Sequence, residues 1–137
     1  MNRLQRLLIK HEGFKLEPYR DSLGNLTVGV GRNLDSVGLY REEVLYMLDN
    51  DIARCDRELR HNFKWYLGLS DVRQDAMINL CFNLGITRLL GFKKALAAMA
   101  RDDFDEAADE FLDSRWATQV GDRATDVTNM IRTGRYA

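Results

Sequence analysis

One stretch, HEGFKLEPYRDSLGNLTVGVG at residues 11–31, changes character from helix to hairpin within its own length. Just upstream, Leu4, Leu7, Leu8 and His11 fall at helical spacing behind Asn2, a residue suited to capping, so a first helix is expected to about Lys10, with Gly13 ending it. Downstream, Tyr19-Arg20-Asp21, the turn residues Ser22-Leu23-Gly24-Asn25 and the β-branched run Leu26-Thr27-Val28-Gly29-Val30-Gly31 read as strand, turn and strand. No other region reads as β. Gly29 and Gly31 alternate with Val28 and Val30, so one face of the second strand is bare, as close approach of a ligand or another backbone requires.

The rest reads as helix. Val44, Leu48, Ile52, Cys55 and Leu59 step along one face of a helix of about five turns from Tyr40, long enough to link two lobes. Phe63–Leu69 is an aromatic loop, Ser70 suits a cap, and Asp71–Leu84 is apolar on most sides, as a central bundle helix is. After Gly85, helices are expected at Lys93–Ala100, Phe104–Leu112 and Arg115–Gln119, and a last one capped by Asp122 runs to about Arg132 before Gly134. The chain therefore reads as α+β and mainly helical.

Composition narrows the function classes. With 137 residues and 45% hydrophobic content the chain has room for an interior, and intrinsic disorder is excluded. Twenty basic against 21 acidic groups leave a net charge of −1, unlike the single-sign field of a nucleic-acid binder. Seven acids lie between Asp102 and Asp113, which further opposes a nucleic-acid surface on the C-terminal helices. His11 and His61 are too few for a zinc site, and no cofactor motif is present. Cys55 and Cys81 sit in apolar helical patterns and read as buried free thiols, with a disulfide as the lesser alternative. No signal peptide or membrane span is visible, and a monomer is expected.

Chemistry concentrates in the opening stretch. Glu12 stands at the end of a helix, where the dipole opposes a carboxylate, so a carboxylic acid there is a candidate proton donor. Asp21 follows at the mouth of the hairpin and Thr27 on the glycine-bearing strand. Two carboxyl groups in unlike surroundings suit glycosidic hydrolysis, one to protonate the leaving oxygen and one to activate water. Spacing alone leaves a plainer reading open: a solvated helix end, a turn aspartate and a strand-forming threonine.

Further residues point the same way. Glu12-Gly13, Tyr19-Arg20-Asp21 and Leu26–Gly31 form a Glu-x8-Asp-x5-Thr pattern. Ala76–Gly85 with Gly91-Phe92 is a second block, and Ser114-Arg115-Trp116 with Arg123-Ala124 and Arg132-Thr133-Gly134 is a third. Together they resemble the phage-type lysozymes, the endolysin muramidases, over nearly the whole chain. That resemblance implies one lysozyme domain over 1–137: a small hairpin lobe at about 12–60, a helical lobe from about 1–11 and 61–137, a long connecting helix and a cleft between the lobes. It implies hydrolysis of the β-1,4 bond between N-acetylmuramic acid and N-acetylglucosamine in peptidoglycan. Glu12 would be the general acid, with Asp21 and Thr27 activating water toward an inverted product. Asn33, Phe82 and Asn83 would contact sugars, and Arg123 would support the glutamate. The resemblance further implies an enzyme made in a host cytoplasm, reaching the wall at lysis with a holin as partner.

Several positions depart from the family. The segment between Gly31 and the long helix is short, Arg32 stands where a histidine is usual, and Asn33 and Ala95 replace other cleft residues. Glu110 adds an acid on the substrate side, and His11 and Asp126 reverse the polarity of an acid–base pair, which suggests the same bridge with its charges exchanged. A catalytically inactive glycan-binding homologue is the alternative function, and a transglycosylase the alternative chemistry. Retention of Glu12, Asp21 and Thr27 favours the hydrolase.

Overall fold

The computed structural model describes residues 1–137 as two compact units, Met1–Met47 and Leu48–Ala137. The first opens with α1 (Arg3–Glu12). Asn2 Oδ1 accepts from the Gln5 amide at 2.8 Å while Gln5 Oε1 accepts from the Asn2 amide at 2.8 Å, so each side chain satisfies a donor the helix leaves free. Gly13, at φ 86°, ends the helix and turns the chain directly into β1 (Lys15–Arg20).

Strands β1, β2 (Leu26–Gly29) and β3 (Arg32–Asn33) form an antiparallel sheet in that order. Tyr19 faces Thr27, and Thr27 in turn faces Asn33. The run Leu26–Gly31, expected as one strand, is thus divided. Gly29 (φ 71°) and Gly31 (φ 65°) take left-handed backbone on either side of Val30 and reverse the chain into β3. Beyond β3, Arg32 Nη1 donates to Glu43 Oε1 at 2.7 Å and to the Gly38 carbonyl at 3.1 Å. The Tyr40 amide donates to the same Glu43 oxygen at 2.7 Å. The loop is thereby tied to the first turn of α2 (Arg41–Asn62), and the Arg32 guanidinium, followed by the Tyr40 amide, holds the Glu43 carboxyl below the usual carboxylate range.

Helix α2 runs on into the second unit. Its stripe is exposed at Val44 and buried at Cys55 and Leu59. The second unit continues with a short 3-10 turn (Tyr66–Gly68), α3 (Asp71–Leu84), α4 (Ile86–Leu90), α5 (Lys93–Ala100), α6 (Phe104–Leu112), α7 (Arg115–Val120) and α8 (Asp122–Thr133). Tyr66, Met77, Leu80, Phe111 and Ile131 are fully buried in one core, to which α3, α6 and α8 contribute jointly. Arg73 Nε donates to the Ile131 carbonyl at 2.6 Å and Nη2 to that of Arg132 at 3.2 Å, so an α3 side chain closes the C-terminus of α8. The same guanidinium lies 3.7 Å from the Phe104 ring centroid. Cys55 and Cys81 are buried free thiols. Burial pushes the Cys81 thiol up, and the neighbouring Cys55 thiol adds to this.

Two further details differ from expectation. Helix α4 has no counterpart in the sequence pattern, because five residues without a side-chain cap carry almost no periodic signal. Gly121, not Asp122, is the N-cap of α8, and Asp122 occupies the first turn, where its charge favours the helix dipole. No helix is long and apolar enough to cross a membrane.

Candidate active site

In the first unit, the helix end and the hairpin turn supply two carboxyl groups held in different ways. Asp21 sits where β1 ends. Its amide donates to the Asn25 carbonyl at 2.9 Å and its carbonyl accepts from the Gly24 amide at 3.0 Å, closing the turn. Its side-chain Oδ1 accepts from the Asn25 amide at 2.8 Å and the Leu23 amide at 2.9 Å, and Oδ2 from Asn25 Nδ2 at 3.4 Å. The Asn25 amide first, then those of Leu23 and the Asn25 side chain, hold this carboxyl below the usual carboxylate range. Oδ1 is taken by two short bonds, whereas Oδ2 holds only the long one from Asn25 Nδ2 and is the oxygen with room for a further donor from solvent.

Thr27 is 3% exposed, and its hydroxyl donates to the Asn25 carbonyl at 2.9 Å. Its oxygen therefore remains an acceptor. Asn25, by sequence only a turn residue, is the joint of this group: its amide and side chain engage Asp21 while its carbonyl engages Thr27. The signal available was its place in Ser22–Asn25, since asparagine in such a turn bonds its neighbours' polar groups.

Glu12, the last residue of α1, is exposed, and its carboxyl lies against the backbone of the β2–β3 turn. A Cβ built on Gly31 falls 2.8 Å from Glu12 Oε2 and 3.2 Å from its Cδ. The bare glycine backbone expected from the sequence is present, though in a turn and not along a strand face. Asn33 is half-buried in β3, where its Oδ1 accepts from the Ser36 amide at 3.0 Å, so its side-chain oxygen serves the turn that follows.

The second unit holds the other expected residues, all linked to α3. Phe82 is 43% exposed, so it is not a core residue. It lines a cavity of about 280 Å³ with Ile52, Ile78 and Asn79, where Tyr136 Oη donates to Asp75 Oδ2 at 2.9 Å. Asn83 Oδ1 accepts from the Trp116 indole at 2.7 Å, leaving only its amide for a ligand. One turn earlier, Asn79 Oδ1 accepts from Arg123 Nε at 2.9 Å and its carbonyl from Arg123 Nη2 at 3.3 Å. Two asparagines at i and i+4 thus form a polar edge on α3 that orients an indole and a guanidinium. Ala95, expected at the substrate side, is 2% exposed and belongs to the core. No three His, Cys, Asp or Glu side chains gather as metal ligands.

A helix that ends on a carboxylate and leads into a three-stranded antiparallel sheet, a second carboxylate hydrogen-bonded at the hairpin turn, and a second unit built of helices define an α+β protein of the lysozyme-like class. The phage lysozyme family model matches residues 9–132, and the chain belongs to that family. Two similar proteins of Dictyostelium discoideum, described as probable T4-type lysozymes 1 and 2, are each 28% identical over 160 aligned positions, covering 96% of this chain and 94% of theirs. The pre-baseplate central spike protein Gp5 of Enterobacteria phage T4 is 26% identical, aligning 96% of this chain with 28% of its own length. Family and relatives together support a glycoside hydrolase of lysozyme type, whose family implies a peptidoglycan substrate.

Proposed function

We propose that the chain is an endolysin-type muramidase that hydrolyses the β-1,4 bond between N-acetylmuramic acid and N-acetylglucosamine with inversion. The observation that carries this reading is the contrast between the two carboxyls. Asp21 is held ionised by three N–H donors, whereas Glu12 stands at the negative end of α1 against bare glycine backbone.

In the reaction, protonated Glu12 gives its proton to the leaving oxygen as the bond to the anomeric carbon breaks. Water attacks that carbon from the opposite face, its proton passing to Asp21 Oδ2. The Thr27 oxygen accepts the water's other hydrogen and orients it. Asn25 maintains this arrangement by bonding both partners. Phe82 offers an exposed ring for a sugar face and Asn83 its free amide. Arg123, oriented by Asn79, is the supporting residue. Synthesis in a host cytoplasm, monomeric action and passage to the wall through a holin complete the proposal.

Solubilisation of purified, dye-labelled peptidoglycan tests it. Wild type is expected to release dye, with Glu12→Gln and Asp21→Asn each reducing the rate by at least about 100-fold while remaining folded. Equal release by wild type and Glu12→Gln contradicts the assignment. Binding without release by wild type makes the chain a glycan-binding homologue.

A further inference from the structure

Gly29 and Gly31 look equivalent in sequence and share a backbone state, at φ 71° and 65°. Their surroundings differ. A Cβ at Gly29 meets nothing within 4 Å. At Gly31 it would lie 2.8 Å from Glu12 Oε2, 3.2 Å from Cδ and 3.3 Å from the Glu12 Cβ. Left-handed backbone explains glycine at both positions; only at Gly31 is the missing side chain also occupied space.

We propose that Gly31 is a positioning residue for the acid, and that the volume its absent side chain leaves is the seat of the Glu12 carboxyl. This rests on the reading of Glu12 as proton donor. The two closest atoms are the mobile end of a glutamate, so an added methyl displaces the carboxyl and leaves the fold standing. The Glu12 Cβ, fixed to α1, sits at 3.3 Å and narrows the directions in which the chain can swing. A proton donor moved by about 1 Å loses on the order of 100-fold in rate, because transfer requires hydrogen-bond reach to the leaving oxygen. The hairpin turn therefore sets the reach of the acid as well as reversing the chain.

The test compares Gly31→Ala with Gly29→Ala, which imposes the same backbone strain in open space. Melting temperature, kcat and KM on soluble glycan oligomers, and the carbon-13 resonance of the Glu12 carboxyl, assigned by its loss in Glu12→Gln, are measured for both. Both variants are expected to lose the same few degrees. Only Gly31→Ala is expected to lose about 100-fold in kcat, at a KM within twofold of wild type, and to move the Glu12 resonance. Equal kcat in the two variants, or an unmoved resonance in Gly31→Ala, overturns the proposal. An inactive wild type defeats the hydrolytic reading instead, while the resonance still decides the positioning. If Gly31→Ala does not fold, Gly31→Asn carries the same Cβ on a residue that tolerates left-handed backbone and is judged by the same readouts.

Discussion

Asn83→Ala removes the acceptor that meets the Trp116 indole N–H at 2.7 Å. Trp116 is 3% exposed, so its orphaned donor has little recourse to solvent. A buried donor left unsatisfied costs about 1–3 kcal/mol, while the exposed amide itself takes little packing with it. At roughly 3–5 °C per kcal/mol for a chain of this size, the melting temperature should fall by about 3–15 °C. Asn83→Asp keeps an oxygen facing the indole and should melt within about 2 °C of wild type. Trp116→Phe deletes the donor, and combined with Asn83→Ala it should cost about 1 kcal/mol less than the two single losses added, because neither partner is then stranded. Calorimetric melts of the four variants decide the matter. Equal destabilisation by Ala and Asp, or strict additivity in the cycle, refutes the argument that this hydrogen bond anchors α7 to α3. The same Asp variant separates structure from binding. It removes the amide left for a sugar, so KM should rise about tenfold with the fold intact.

Other expectations follow from the geometry. The native Asp21 carboxyl titrates below its ordinary value of 3.8, so the stability it contributes is present above that value and lost as pH falls through the lower native one. Melting temperature against pH should therefore decline less steeply in acid for Asp21→Asn than for wild type; parallel curves would contradict this. Cys55 and Cys81 should be silent to a thiol reagent at pH 8 in the native protein and react as two thiols in denaturant, since both are buried and the Cys81 thiol is pushed up. Rapid native labelling would oppose that placement. Arg73→Lys keeps the charge but loses the fork to Ile131 and Arg132 and the flat contact with Phe104, and should cost about 1–2 kcal/mol in urea unfolding. A cost near zero would show that α8 ends without its help.

Much of this was legible in the residues because the signals were local. Asn2 and Ser70 cap helices where expected, with Ser70 accepting from the Arg73 amide at 3.3 Å, and Gly13, Gly85 and Gly134 end them at positive φ. The division of Leu26–Gly31 was not legible, since a β-branched alternation does not disclose the sign of φ at its glycines. Nor was the use of side chains. The resemblance implies sugar contacts at Asn33 and Asn83, yet each commits its oxygen within the protein, to Ser36 and to Trp116. The resemblance pairs Asp21 with Thr27, and in the structure Asn25 between them carries the hydrogen bonds. Partner choice of this kind depends on where the backbone brings donors, which spacing alone does not encode.

Mass spectrometry of the fragments released from purified peptidoglycan, with Glu12→Gln in parallel, tests the central claim most directly. Hydrated, reducing N-acetylmuramic acid ends from wild type and none from the variant are predicted. Anhydro ends would contradict water as the nucleophile and the role given to Asp21, and hydrated ends at undiminished rate from Glu12→Gln would contradict the acid itself.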